Sequence, residues 1–110
     1  MSTLRIKGNI WIENNKGQVM GPGKKELLEA IQNTGSIKSA SKAMKMSYRH
    51  AWEMTNNMNL IYAKPLIEKI AGGSNGGGTR LTKEGEELIA IYEKLFGEFE
   101  TFKAEINKTI

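Results

Sequence analysis

The chain has 110 residues, 39% hydrophobic and 25% charged, the balance of one globular domain with one modest core. It has no cysteine, no aspartate and one histidine, His50, which excludes disulfides and thiolate metal sites and leaves no Ser-His-acid set to draw. Its net charge of +4 is unevenly spread. Residues 1–35 carry five Lys/Arg and three Glu, residues 36–81 seven and two, and residues 82–110 four and seven. A basic middle is the electrostatic footprint of a nucleic-acid face, although a solvated Lys-rich surface has the same composition. There is no run of 18 apolar residues to span a membrane, and residues 1–9 have no apolar core of a secretory signal. The expectation is a cytoplasmic protein that needs no cofactor and catalyses no reaction.

In chain order, Leu4, Ile6, Ile10 and Ile12 alternate over residues 4–13, a half-buried strand pattern interrupted by Gly8. Asn14-Asn15-Lys16-Gly17 is turn chemistry, and Val19 and Met20 form the return strand of an N-terminal hairpin. Pro22 opens a helix over residues 22–33, with Leu27, Leu28 and Ile31 at helical spacing and Gly35 as its stop. Ser36 caps a second, short helix with Ile37, Ala40 and Met44 on one face. After a turn holding Met46, Ser47 caps a third helix over residues 48–59. Tyr48, Ala51, Trp52, Thr55 and Met58 give that helix its period.

Pro65 marks a boundary. Residues 66–70 and 79–82 read as two short strands around five glycines between Gly72 and Gly78, a second hairpin. A phosphate-cradling loop needs a helix directly after its glycines; here the chain runs extended first, so a wing fits better, with Lys69 and Arg80 as basic anchors. The last segment, residues 83–108, has Thr82 as N-cap. Its residues Leu88, Tyr92, Leu95, Phe99, Phe102 and Ile106 are spaced 4, 3, 4, 3, 4, the seam of a paired helix about 39 Å long. The predicted fold class is α+β, mainly helical: a winged helix-turn-helix over residues 1–82, with an N-terminal β-hairpin and a two-stranded wing, then a C-terminal dimerisation helix over 83–110.

The unit from Ser36 to Asn59 carries the functional expectation. A short bracing helix needs small contact residues, and Ala40, Ala43 and Ala51 supply them. The third helix then enters the major groove and exposes Ser47, Arg49, His50 and Glu53, if Ala51, Trp52 and Thr55 face inward; Ser47, Tyr48 and His50 can donate to phosphates or base edges. Arg49 suits guanine O6 and N7; Glu53 suits cytosine N4 or orients Arg49. Ser36, Lys38, Ser39 and Lys42 on the bracing helix suit phosphates. Two packed helices with a tight turn also occur without DNA. The rival expectation is a protein-interaction module whose tail helix holds a partner.

Several motifs in this stretch resemble one family. They are Gly-Pro-Gly at 21–23, Leu-Leu-Glu-Ala-Ile at 27–31, Thr-Gly-Ser-Ile at 34–37, the run from Ala40 to Trp52 containing Ser-Tyr-Arg-His-Ala-Trp, and Leu-Thr-Lys-Glu-Gly at 81–85. Residues 22–96 resemble the N-terminal DNA-binding domain of the molybdate-responsive ModE regulators, and the wider pattern is similar to LysR-type regulators. The resemblance implies a winged helix, a long dimer-forming helix, a palindromic double-stranded DNA operator bound by a homodimer, and a recognition helix from Ser47 onward. Full-length ModE proteins also carry C-terminal molybdate-binding domains. Because the sequence stops at Ile110, the expectation is that those are absent: either this is a single-domain family member, or the sensing sits in a separate partner chain.

Overall fold

A computed structural model describes residues 3–71 and 78–110; most of the glycine-rich stretch assigned to the wing lies outside them. The elements in order are β1 (Ile12–Asn14), β2 (Gly17–Met20), α1 (Pro22–Thr34), α2 (Ile37–Ala43), α3 (Tyr48–Ile61), β3 (Ile67–Ile70), β4 (Gly78–Leu81) and α4 (Lys83–Asn107). The strands form two separate antiparallel hairpins, β1–β2 and β3–β4. The predicted class holds: the chain is mainly helical, with two small hairpins and a long C-terminal helix.

Local chemistry starts and stops the helices. Pro22 occupies the first helical position of α1, where its missing N–H costs nothing. Gly35 ends α1 in the left-handed region at φ 82°, its N–H bonded to the Ile31 carbonyl at 2.7 Å. The hydroxyls of Ser36, Ser47 and Thr82 each accept a backbone N–H three residues on, from Ser39, His50 and Gly85, all at 3.0 Å. Each such cap is worth about 1 kcal/mol. Between α2 and α3 the chain reverses at Lys45, a non-glycine residue with φ 56°, and Met46 N–H bonds the Ser41 carbonyl at 3.0 Å.

The apolar faces of α1, α2 and α3 meet in one core. Leu27, Leu28 and Ile31 of α1, Ala40 of α2, Ala51 and Met58 of α3 are wholly buried, joined by Met20 from β2 and Leu66 beside β3. Leu88, Ile89 and Tyr92 of α4 complete it. Ala43 departs from expectation: it is exposed, and the small contacts of α2 are Ala40 and Ser41. The Ser41 hydroxyl is satisfied by the Lys38 carbonyl at 2.7 Å.

Close backbone approaches fix the wing. Thr79 N–H bonds the Gly35 carbonyl at 2.9 Å, and a Cβ on Gly78 would lie 2.6 Å from that oxygen. Asn59 of α3 accepts from the N–H of Leu66 at 2.8 Å and of Ile67 at 3.3 Å, and donates to the Ile67 carbonyl at 3.1 Å. From the other side, Thr82 N–H bonds the Leu66 carbonyl at 2.9 Å and the Thr82 hydroxyl donates to the Pro65 carbonyl at 2.7 Å. Gly85, buried in the first turn of α4, presses against the Leu66 carbonyl so closely that a Cβ would collide with it. This explains the spacing of Leu81-Thr82 and Gly85: a capping hydroxyl, then a residue without a side chain where two backbones touch.

The N-terminal strand is shorter than expected. β1 covers only three residues because β2 offers four, with a register shift after Ile12. The preceding segment runs along α4 instead. Its backbone polar groups find side-chain partners there: the Ile6 N–H bonds Asn107 Oδ1 at 2.7 Å, Lys103 Nζ donates to the Gly8 carbonyl at 2.9 Å, and the Tyr92 hydroxyl donates to the Ile10 carbonyl at 2.9 Å. Gly8 rests against the Phe99 ring. Burial pushes the Tyr92 phenol above its ordinary pKa.

Gly85→Ala should therefore destabilise the domain by about 1–3 kcal/mol, through overpacking against Leu66. Gly23→Ala, at a position with open space and ordinary φ, should stabilise it by about 0.4–1 kcal/mol. Urea unfolding of both variants beside the wild type checks the pair; a neutral Gly85→Ala would contradict the packing described.

Candidate nucleic-acid interface

The exposed side of α3 is set by its buried stripe. Ala51, Thr55 and Met58 turn inward, so Tyr48, Trp52 and Asn56 form one outward row, and Arg49, Glu53 and Asn57 the row beside it. Trp52 was expected to face inward. It stands one position from the buried stripe, about 100° around the helix, and is 44% exposed. Tyr48, Arg49, His50 and Glu53 are exposed on the N-terminal half of α3, as expected.

Arg49 and Glu53 are not independent. Arg49 Nε donates to Glu53 Oε1 at 3.1 Å, one helical turn apart. The wing repeats the arrangement: Arg80 Nε donates to Glu68 Oε1 at 2.8 Å across the β3–β4 ladder, where the two residues are paired in register. In both arginines the carboxylate takes the Nε edge and leaves the terminal amino groups outside that bond. Orienting Arg49, one of the two roles expected for Glu53, is the one the geometry displays.

The remaining candidates divide. Ser36 and Ser47 spend an acceptor site on their helix caps, while each hydroxyl proton stays available for donation. Lys38, Ser39 and Lys42 are exposed on α2, and Lys69 is exposed on β3 opposite Thr79. Among the described residues, Lys38, Lys42 and Lys69 have no carboxylate partner, nor has Lys45 in the turn. Elsewhere most lysines are neutralised: Lys25 by Glu29 and Glu93, Lys64 by Glu84, Lys83 by Glu87, Lys103 by Glu100 and Lys108 by Glu105. Lys24, partly buried, bonds the Gln18 carbonyl, and desolvation lowers its pKa. Outside the helix-turn-helix and wing, Arg5, Lys7, Lys16 and Lys94 also lack a carboxylate partner. The uncompensated positive charge of the middle region thus sits on α2, its turn and β3.

Three residues of this surface were not singled out as contacts in the sequence. Lys45 was legible as one more cation in the turn. Trp52 was assigned to the core, and Asn56 carries no local signal. A groove of about 270 Å³ runs between α3 and the wing, with Trp52, Asn56, Lys69 and Thr79 in its walls.

The seam expected on α4 also divides. Leu88 and Tyr92 are buried in this chain's own core, and Phe99 is half-buried under the N-terminal segment. Leu95 and Phe102 stay open at 41% and 54% exposure, with Ile91 at 50%, while Ile106 is half-buried. Among the described residues no cluster of metal-ligating side chains occurs and no helix is long and apolar enough to cross a membrane.

Three packed helices, a two-stranded wing on the third and a long terminal helix define a winged helix-turn-helix protein. A LysR family transcriptional regulator shares this fold at a TM-score of 0.56 and 16% identity, over 76% of this chain and 27% of that one. So does MepR of S. aureus in its complex with DNA, at a TM-score of 0.58 and 19% identity, over 76% of this chain and 61% of that one. By sequence the chain's homologues are ModE transcriptional regulators, as the motif resemblance implied. The molybdenum transport protein ModE of Azotobacter vinelandii is 35% identical over 101 residues, 92% of this chain and 37% of its own length. The transcriptional regulator ModE of Haemophilus influenzae is 46% identical over 74 residues, 67% of this chain and 29% of its own length. The chain thus spans about a third of the length of these curated relatives. No protein-family model matches it.

The Arg49–Glu53 pair is 89% and 55% exposed, so it positions the guanidinium and adds little stability. Glu53→Gln should change the unfolding free energy by less than about 0.5 kcal/mol. Chemical denaturation checks this, and a loss well above that figure would give the pair a structural role instead.

Proposed function

We propose that this chain is a DNA-binding transcriptional regulator that recognises specific duplex sequences with α3 and the wing. The observation that carries the reading is the distribution of uncompensated charge. Among the described residues, Lys38, Lys42, Lys45 and Lys69 stand exposed without carboxylate partners on the helix-turn-helix and wing, while glutamates pair with Lys25, Lys64, Lys83, Lys103 and Lys108. Solvated lysines of this kind exchange counterions for phosphates. Arg49, held through Nε by Glu53, offers its terminal amino groups to a guanine edge, and Arg80 on the wing offers the same to a phosphate. The ModE homologues and the DNA complex of a protein of the same fold support this reading.

Binding is proposed to be homodimeric, on palindromic DNA. The apolar stripe Ile91, Leu95 and Phe102 on α4 lies beside the face that the N-terminal segment covers, and a second copy supplies its cover. Two α3 helices then enter successive major grooves about 34 Å apart. Residues 1–82 with the first turns of α4 form the DNA-binding body, and the rest of α4 the dimerisation arm. A cytoplasmic site and the absence of enzymatic activity complete the proposal.

Fluorescence anisotropy with duplex DNA should show affinity falling steeply as salt rises, with a slope of roughly −0.9 per phosphate contacted. Lys42→Ala should weaken all sequences alike and flatten the slope by about one contact per protomer. Arg49→Ala should cost a selected site about tenfold and random duplex little. Flat salt dependence, or no binding at low salt, would exclude the reading.

Sedimentation analysis should find a dimer, and Leu95→Glu with Phe102→Glu should convert it to a folded monomer that binds DNA more weakly. A wild-type chain that stays monomeric at micromolar concentration, but retains another protein through the same stripe, would favour the protein-interaction module instead.

A further inference from the structure

Trp52 is half-open on the outward row of α3, although the core has room for tyrosine, methionine and leucine side chains at zero or near-zero exposure. Its ring stands 44% exposed at the edge of the groove beside the wing, an apolar surface within reach of a ligand. Asn56, one turn further along the same row, is exposed, and among the described residues no hydrogen bond engages its amide. Asn59, three residues on, has its amide oxygen and nitrogen both spent on β3. The two asparagines thus separate a structural carboxamide from one whose donor and acceptor face outward. Trp52 and Asn56 line the groove between α3 and the wing together with Lys69, which has no carboxylate partner among the described residues, and Glu68, whose carboxylate is bonded by Arg80. With Glu68 engaged by Arg80, the groove suits an occupant with an anionic backbone, an apolar feature for Trp52 and a paired donor and acceptor for Asn56.

Resting on the DNA-binding reading above, we propose that Trp52 and Asn56 are specificity-determining residues that together select adenine beside thymine in each half-site. Asn56 bonds adenine, its Nδ2 donating to N7 and its Oδ1 accepting from the N6 amino group, the bidentate match of a carboxamide to that base. Trp52 packs its ring on the C5-methyl of the adjacent thymine, the one apolar group of the major-groove edge. Lys69 holds the flanking phosphate and sets the register of the wing. Arg49, one residue from Tyr48 on the neighbouring row, reads the guanine side of the site. The half-site thus combines one guanine contact with one adenine–thymine contact from parallel rows of the same helix.

The test uses the whole chain and a duplex recovered by selection from a random pool at low salt. Each thymine is replaced in turn by uracil, which removes only the methyl, and each adenine by 7-deaza-adenine, which removes only the N7 acceptor. The wild type should lose about three- to fivefold at one uracil per half-site, the worth of one buried methyl. It should lose about tenfold at one 7-deaza-adenine. In Trp52→Ala the uracil penalty should vanish while the 7-deaza penalty stays, and Asn56→Ala should do the reverse. Trp52→Phe, which keeps an apolar ring, should retain part of the uracil penalty and shows that loss in Trp52→Ala is not misfolding. Affinity for random duplex should change less than twofold in all three. Penalties that persist undiminished in the variants would overturn the assignment while leaving DNA binding intact. A wild type that binds no duplex at low salt would overturn both.

Discussion

One carboxamide, Asn59, sets the geometry on which the rest of the molecule relies. It sits on the last turns of α3 and takes the backbone N–H groups of Leu66 and Ile67 and the Ile67 carbonyl. Thr82 and Gly85 grip the end of the same connection from the opposite side, through the carbonyls of Pro65 and Leu66. The short link between α3 and β3 is therefore a junction of three elements. Its last residues are fixed, because the Pro65 carbonyl and both backbone groups of Leu66 are bonded and the close approach there is filled by a glycine. The angle between α3 and the wing follows from it, and so does the width of the groove they enclose.

Much of this was legible in the sequence because it is local. A serine before a helical period, a glycine after one and a proline in a first turn state their roles within four residues, and Ser36, Ser47, Thr82, Gly35 and Pro22 all keep them. What was not legible depends on phase. The apolar residues of α3 are compatible with stripes about 100° apart, one through Ala51, Thr55 and Met58 and one drawing in Trp52. A polar threonine in the core and a tryptophan on the surface decide between them, and only packing against α2 and β2 favours that choice. Ala43 was misplaced for the same reason.

The N-terminal segment shows a second limit. Its alternation of Leu4, Ile6, Ile10 and Ile12 is a strand pattern, but a strand partner comes only for Ile12, because β2 is four residues long. Asn107, Lys103 and Tyr92, up to 101 residues away in sequence, satisfy its backbone instead. No local pattern announces a pairing of that range. Its consequence reaches α4, where the apolar positions that looked like one intermolecular seam are shared between the core, the N-terminal segment and solvent.

That sharing links the two halves of the protein. The first turns of α4 are inseparable from the winged domain, since Leu88, Ile89 and Tyr92 are core residues and Thr82 and Gly85 anchor the helix to the α3–β3 junction. The outer turns keep their direction because the N-terminal segment is bonded along them as far as Asn107. A helix fixed at its base and braced along its length transmits orientation rather than only proximity. If two copies join through Ile91, Leu95 and Phe102, the separation and tilt of their α3 helices are set by the same junction that sets the wing. The half-site spacing and the reading of each half-site then share one structural origin, the connection held by Asn59, Thr82 and Gly85.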